Sequence, residues 1–233
     1  METSQPKFLN KNLFLRIISG IIMASIATFC ITKNSFTFSL FILVVAIISY
    51  LEWFTIVTNK LINQEFDNYK KYTMFWGVLG LITILPSSAS ILYLRYIDGI
   101  HSIVYLILIV ASTDIGAFFF GKLIGGPKLA PSISPGKTIS GAFFGIISSL
   151  GTATILFLIK YFEANYIQLL IITAIISIAS QVGDLLESAF KRNFGVKDSG
   201  KLIPGHGGFL DRIDGFLISA PILMIVYFLD LIK

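Results

Sequence analysis

The chain has 233 residues, of which 55% are hydrophobic and only 13% charged, with a mean hydropathy of +0.83. A water-soluble domain of this length needs more polar surface, so the composition excludes an ordinary soluble protein and places the chain in the membrane class. The formal net charge of +5 does not point to nucleic acid, because the cations sit in short loops between apolar runs, where lipid headgroups or nucleotides are the fitting partners. The single cysteine, Cys30, lies inside an apolar run and can form no intramolecular disulfide.

A helix rises about 1.5 Å per residue, so about 20 apolar residues cross the hydrocarbon core. The first such stretch, 13–31, follows Lys7, Lys11 and Arg16 in the outline of a signal peptide, but it has no small-residue cleavage site and reads as an uncleaved first span. Further spans are expected at 36–57, 72–94, 100–120, 138–160, 165–183 and 214–232. Within 72–94, Pro86 and the following Ser87 and Ser88 can break the helix into two pieces. Alternating ten-residue strand patterns are absent, so the spans should be helices and not barrel strands. The expected fold is all-α: a polytopic integral membrane helical bundle of about seven transmembrane helices with a polar site at its cytoplasmic face. One membrane domain covers 1–233, with 1–99 as scaffold helices and 100–233 carrying the chemistry.

Orientation follows from the Lys and Arg residues on alternate sides. With a cytoplasmic N-terminus, that side collects Lys7, Lys11, Arg16, Lys60, Lys70, Lys71, Lys122, Lys128, Lys137, Lys191, Arg192, Lys197, Lys201 and Arg212, while Lys33, Arg95, Lys160 and Lys233 fall on the other. Fourteen against four supports seven spans, because adding or removing one scrambles the bias.

Three places on that side combine polar residues that an idle bundle does not need. The first is 112–138. Asp114 lies in an apolar run, where an ionised group costs about 2.5–3.5 kcal/mol on insertion scales, so it should face a partner or a wet cavity. Gly116, Gly121, Gly125 and Gly126 suit close packing of helices. Ser134, Pro135, Gly136, Lys137 and Thr138 then open the fifth span, where free amides, hydroxyls and a lysine make an anion site as readily as an ordinary helix cap. The second place is the end of the sixth span: if the helix runs past Gly183, then Gln181, Asp184, Ser188 and Lys191 share one face. The plainer alternative there is a helix emerging into water with an exposed Glu187–Lys191 pair.

The third is the stretch 197–215. Pro204, Gly205, Gly207 and Gly208 forbid a helix and let backbone approach a ligand, while His206 between them is more often a structural hydrogen-bonding group than a catalyst. Asp211 and Asp214 stand three residues apart where the last helix begins, at a separation suited to Mg²⁺. Capping of the helix start by negative charge accounts for one of them but poorly for both.

Ser188, Lys191-Arg192, Lys197-Asp198, Pro204-Gly205-His206-Gly207-Gly208 and Asp211-Arg212-Ile213-Asp214 together resemble the signature of the phosphatidate cytidylyltransferases, or CDP-diacylglycerol synthases. The 112–138 stretch is similar to a second block of that family, through Asp114, Gly116-Ala117, Gly121-Lys122, Lys128-Leu129-Ala130-Pro131 and Ser134 to Thr138, and Gly183-Asp184-Leu185 with Glu187-Ser188 to a third. The resemblance covers about 100–232. The first hundred residues match only in Glu52-Trp53 and the apolar pattern, and a membrane hairpin that many members carry before the third span is missing.

The resemblance implies transfer of CMP from CTP to phosphatidic acid, giving CDP-diacylglycerol and pyrophosphate, with a Mg²⁺ requirement. Chain length and short loops lead to the expectation of a multi-pass protein of the inner (cytoplasmic) membrane, and the charge bias to a site facing the cytoplasm. The resemblance associates Asp184 and Asp211 with the metal, and Asp214 is added from its spacing. Lys137, Lys191, Arg192, Lys197, Lys201 and Arg212 are expected to neutralise phosphates. Ser134, Thr138 and Ser188 are expected to donate hydrogen bonds, with the amides of Gly207 and Gly208 serving the triphosphate and Asp114, Asp198 and His206 lining the substrate site. A monovalent cation beside Mg²⁺ and a homodimer are left open. A CTP-dependent lipid or polyprenol kinase is the nearest alternative; an anion transporter fits poorly, since the charges gather at one surface.

Overall fold

The computed structural model describes residues 7–62, 68–161 and 164–231; the side chains of Lys7 and Lys11, and the whole of Lys233, lie outside the described residues. The chain forms α1 (Lys7–Lys33), α2 (Ser35–Ile62), α3 (Tyr69–Asp98), α4 (His101–Ile124), a hairpin of β1 (Lys128–Ala130) and β2 (Ser134–Thr138), α5 (Ile139–Leu158), α6 (Tyr166–Asn193), α7 (Leu210–Ile213) and α8 (Phe216–Phe228). Among the described residues α1 to α6 are long and apolar enough to cross a membrane. Where the seventh span is expected, at 214–232, the chain forms the 13-residue α8, preceded by the short α7. Asp214 and Gly215 between them keep right-handed helical dihedrals, so 210–228 is nearly one helix.

The outside of the bundle is apolar. Phe118, Leu123, Phe143, Ile155 and Ile167 are all more than half exposed, a surface that is stable in lipid and not in water. Inside, a large apolar core joins α2, α3, α4, α6 and α8 around Leu94, Tyr105, Ile109, Leu169 and Leu223. A second core lies at the end of the bundle that carries the polar loops, around Trp53, Ile84, Phe190 and Leu210. Here the Trp53 and Phe190 rings stack at 3.6 Å between centroids, and the Trp53 indole donates to Trp76 O at 2.8 Å, tying the end of α6 to α2 and α3.

One open alternative is decided and one expectation is corrected. Pro86 does not divide the third span; α3 runs through it. Ser90 Oγ donates to Pro86 O and Ser88 Oγ to Ile84 O, while Ser87 Oγ reaches Phe216 O. The hydroxyls thus serve carbonyls around the proline, as happens in apolar surroundings. Ser134–Thr138 is also not a loop but a strand, paired antiparallel with Lys128–Ala130. Gly125 and Gly126 adopt left-handed φ values of 67° and 99° and end α4, and the prolines at 127, 131 and 135 bar a helix before α5.

Of the four glycines expected to favour packing, Gly116 and Gly121 do so between α4 and α5, joined there by Gly141 and Gly145, whereas a Cβ at Gly125 or Gly126 would meet nothing within 4 Å. A Cβ at Gly116 would lie 2.6 Å from Ser148 Cβ, one at Gly141 2.6 Å from Ala117 O, and one at Gly145 2.9 Å from Thr113 O. Backbones meet with no room for a methyl group. Gly141→Val should therefore lower the thermal unfolding midpoint in detergent, by the equivalent of about 1–3 kcal/mol for overpacking. Gly151→Ala on the same helix, where a Cβ meets nothing within 4 Å, should leave the midpoint unchanged or raise it.

Candidate functional site

Helix α6 continues ten residues past Gly183, so the face anticipated for Gln181, Asp184, Ser188 and Lys191 exists. Its closest neighbour is the start of the last helical segment: a Cβ at Gly183 would stand 2.5 Å from Asp214 O. Glycine at this position lets the two elements touch and brings Asp184 beside Asp214.

Between α4, the hairpin, α5 and α6 lies a cavity of about 670 Å³. Asp114, Ser134, Lys137, Thr138 and Asp184 line it. Lys122, Lys128 and Gln181 join them; the two lysines belong to the 112–138 block but had no site role expected of them. Lys137 forms an ion pair with Asp184 Oδ2, and Ser188 Oγ donates to Asp184 Oδ1 at 3.3 Å. Asp184 lies within Coulombic reach of both Asp114 and Asp214. Three carboxyl groups from three helices thus share a small region with one lysine among them. Thr138 is the N-cap of α5, its Oγ1 accepting from Gly141 N at 3.0 Å, so the cap and the anion-site readings hold for the same short segment.

Further along α6, that helix and α7 build a second, buried network. Lys191 Nζ lies 2.5 Å from Glu187 Oε2 and 2.6 Å from Asp211 Oδ1, with side-chain exposures of 10%, 0% and 7% respectively for Lys191, Glu187 and Asp211. The exposed i,i+4 pair of the plainer reading is therefore a buried acid–base–acid triad. Asp211 also accepts from Ser199 N at 3.0 Å and Gly208 N at 2.9 Å. Burial pushes its carboxyl up, but the hydrogen bonds from Lys191, Gly208 and Ser199 and the lysine's charge outweigh it and hold Asp211 below the usual carboxylate range. Among the described residues Asp184 and Asp211 share no partner: Asp184 is held by Lys137 and Ser188 and Asp211 by Lys191, Ser199 and Gly208, with Asp214 between α7 and α8 near Asp184.

Glu52, on α2, was not anticipated as part of this site. Its carboxylate accepts from Ser199 Oγ at 3.0 Å, Phe209 N at 2.9 Å and Leu210 N at 2.8 Å, satisfying free amides at the start of α7 and holding the loop that carries Asp211. Glu52-Trp53 was the visible signal, but its partners lie 147 to 158 residues further along the chain, beyond any local pattern.

The remaining candidates hold the loops. Arg192 donates through Nε to Ile133 O and through Nη1 to Val196 O, tying α6 to the hairpin. Gly208 N is engaged by Asp211, and Gly207 O accepts from Ile203 N. Gly207 has a φ of 89°, and a Cβ there would press 2.8 Å from Asp211 Oδ2. Lys197, Asp198 and Lys201 are exposed on the loop and do not line the cavity. His206 has the structural role considered for it: Nδ1 shares a 2.8 Å hydrogen bond with Ser19 Oγ of α1, and burial together with the charges of Arg212 and Arg16 holds the imidazole below its ordinary pKa. Arg212 donates to His206 O at 2.8 Å. Among the described residues no three His, Cys, Asp or Glu side chains are close enough together to ligate one metal ion by themselves.

The sequence profile of the cytidylyltransferase family matches residues 64–230, from α3 to the end of the last helix and including both polar networks except Glu52. The chain belongs to the cytidylyltransferase family. Among similar proteins, one named phosphatidate cytidylyltransferase from Staphylococcus haemolyticus is 51% identical over 129 residues, covering 55% of this chain and 50% of that protein. One of the same name from Staphylococcus aureus is 50% identical over 129 residues, with the same coverage of each. Another from Bacillus subtilis is 43% identical over 166 residues, 68% of this chain and 61% of the relative. The chain spans about half the length of the first two.

Glu52→Ala in this family member should orphan two backbone donors, at about 1–3 kcal/mol each. Thermal unfolding should fall, and hydrogen exchange should speed up at the amides of Phe209 and Leu210 before it does so in α5. Unchanged exchange at those two amides would remove the positioning role of Glu52.

Proposed function

We propose that the chain transfers CMP from CTP to phosphatidic acid, giving CDP-diacylglycerol and pyrophosphate, at the cytoplasmic face of a bacterial inner membrane. The observation that carries this is the gathering of Asp114 and Asp184 with Lys137 at a 670 Å³ cavity, with Asp214 close to both carboxyl groups, in a chain of the cytidylyltransferase family. Relatives bearing the phosphatidate cytidylyltransferase name support the choice of substrates. The apolar outer surface supports the lipid, and the gathering of cations at the site's end of the bundle supports a cytoplasmic orientation.

In the reaction an oxygen of the lipid phosphate forms a bond to the α-phosphorus of CTP, and the bond from that phosphorus to the bridging oxygen breaks, releasing pyrophosphate. A phosphate monoester has its second pKa near about 6 and is mostly dianionic at neutral pH, so no side chain is needed as a general base. The protein's task is to bring two polyanions together and to stabilise the departing charge. Lys122, Lys128 and Lys137 ring the cavity from three directions and draw in the triphosphate, with Ser134 as a donor beside them. Lys137 can exchange Asp184 for a phosphate oxygen.

The donors fit Mg²⁺, which takes oxygen ligands and often only one or two carboxylates, with phosphate and water completing its shell. Asp184 and Asp214 are the fitting pair, and Asp114 is near enough to hold a bound water. Asp211 joins such a shell only by giving up Lys191 or an amide. When bound, the ion neutralises phosphate charge and orients the triphosphate.

Membranes containing the chain should move label from α-labelled CTP into lipid and stop doing so with a chelator; retention of γ label in the lipid would instead identify a kinase. Asp184→Asn should lower kcat by on the order of 10²-fold in folded protein, as for loss of a preorganised charge contact. Lys137→Ala should raise the KM for CTP or lower kcat, and no change in either would remove its assigned role.

A further inference from the structure

The hairpin of β1 and β2 joins the end of α4 to the start of α5 and closes one side of the 670 Å³ cavity, to which it contributes Lys128, Leu129, Ser134, Gly136 and Lys137. It thus carries two of the three lysines assigned to the triphosphate. Its base is firm. Ile139 N donates to Pro127 O at 3.0 Å, Ser140 Oγ donates to Gly125 O, and Thr138 caps α5. Toward the turn the support thins. The strands have three and five residues with an irregular register between Lys128 and Ala130, and an isolated two-stranded hairpin is marginal in water. Leu129, Pro131 and Ser132 are exposed, so no apolar core holds the turn down.

Two polar contacts tie the hairpin to α6 among the described residues. Lys137 pairs with Asp184, and Arg192, in the last turn of α6, donates through Nε to Ile133 O at 3.2 Å. They differ in permanence. Lys137 reaches a phosphate oxygen only by leaving Asp184, so arrival of the triphosphate breaks the first contact and leaves the second. Arg192 is also braced from the other side, donating through Nη1 to Val196 O at 2.8 Å. Val196 lies three residues before Ser199, whose amide holds Asp211. The planar guanidinium fixes the directions of its donors, so one side chain sets the distance between the hairpin turn and the loop that carries the buried triad. Among the described residues Arg192 has no carboxylate within ion-pair distance; two carbonyl oxygens receive its hydrogen bonds. Both bonds are open to solvent, which allows release for entry and exit.

We propose that Arg192 is a positioning residue for the nucleotide: a latch that keeps the hairpin closed over the triphosphate of CTP after Lys137 has left Asp184, without itself touching a phosphate. The choice of nucleotide rests on the proposed reaction. The latch replaces the role of phosphate-neutralising cation that the sequence suggests for Arg192.

Hydrogen exchange of the full chain in nanodiscs, without CTP, reads the latch directly. Arg192→Gln should speed exchange at the Ile133 amide, which is bonded to Ala130 O, by about tenfold, while the Ile139 amide at the hairpin base keeps its wild-type rate. In CMP transfer the same variant should raise the KM for CTP about tenfold and lower kcat by no more than about twofold, as expected when retention is lost and the reacting groups stay. Arg192→Lys keeps the charge but not the planar fork, and should resemble Arg192→Gln in both measurements; if Arg192→Gln does not fold, Arg192→Lys decides. Unchanged exchange at Ile133 in the variants would overturn the latch. So would rescue of KM by Arg192→Lys while Ile133 still exchanges fast, because charge alone would then suffice. Accelerated exchange in a protein that moves no α label from CTP into lipid would refute the reaction and leave the latch; label transfer with unchanged exchange would refute the latch alone.

Discussion

A lysine held between two buried carboxylates fixes the polar end of this molecule. Lys191 joins Glu187 on its own helix to Asp211 on α7, and none of the three is stable alone in apolar surroundings: a buried charge deprived of its partner costs about 3–5 kcal/mol. The contact therefore sets the distance between α6 and the last helical segment. Around it, Glu52 fixes the loop from the α2 side and the Trp53–Phe190 stack fixes α6. Residues of α2, remote in sequence from the signature, thus hold the signature in shape.

Once α6 and α7 are locked, the remaining acids have nowhere to disperse. Gly183 allows the Asp214 backbone to touch α6, and Asp184 and Asp214 then repel across a short gap near Asp114. Lys137 offsets part of that repulsion. The result is a region of excess negative charge beside a cationic, hydroxyl-lined cavity. A divalent ion and two phosphates would relieve both imbalances together, which is why the proposed chemistry suits this charge pattern better than transport. A transport path needs polar groups through the whole bilayer, whereas these groups collect at one end of the bundle.

Much of this was legible in the sequence because it depends on local spacing. Apolar length located the spans, and helical periodicity placed Gln181, Asp184, Ser188 and Lys191 on one face before the extent of α6 was known. Isolated Asp114 correctly announced a polar cavity. Pro86 left one helix or two open, because the hydroxyls that reconcile it with a helix include Ser87 bonding across to α8, which no local rule captures. The hairpin was hidden because prolines and glycines at 125–136 read equally as a loop. An exposed Glu187–Lys191 pair stayed open as the plainer alternative, since burial of that face is decided by α7, some twenty residues further on. Glu52 was illegible as a site residue for the same reason: its partners are set by the packing of distant helices.

In the proposed reaction, carboxylates of α6 and the α7–α8 junction would gather a divalent ion beside the nucleotide. Electron paramagnetic resonance of Mn²⁺ titrated into the purified full chain with CTP tests this most directly. The expected result is a Mn²⁺ signal broadened by binding that requires CTP and is lost in Asp184→Asn and weakened in Asp214→Asn. A CTP-dependent Mn²⁺ site left intact in both folded variants would contradict it.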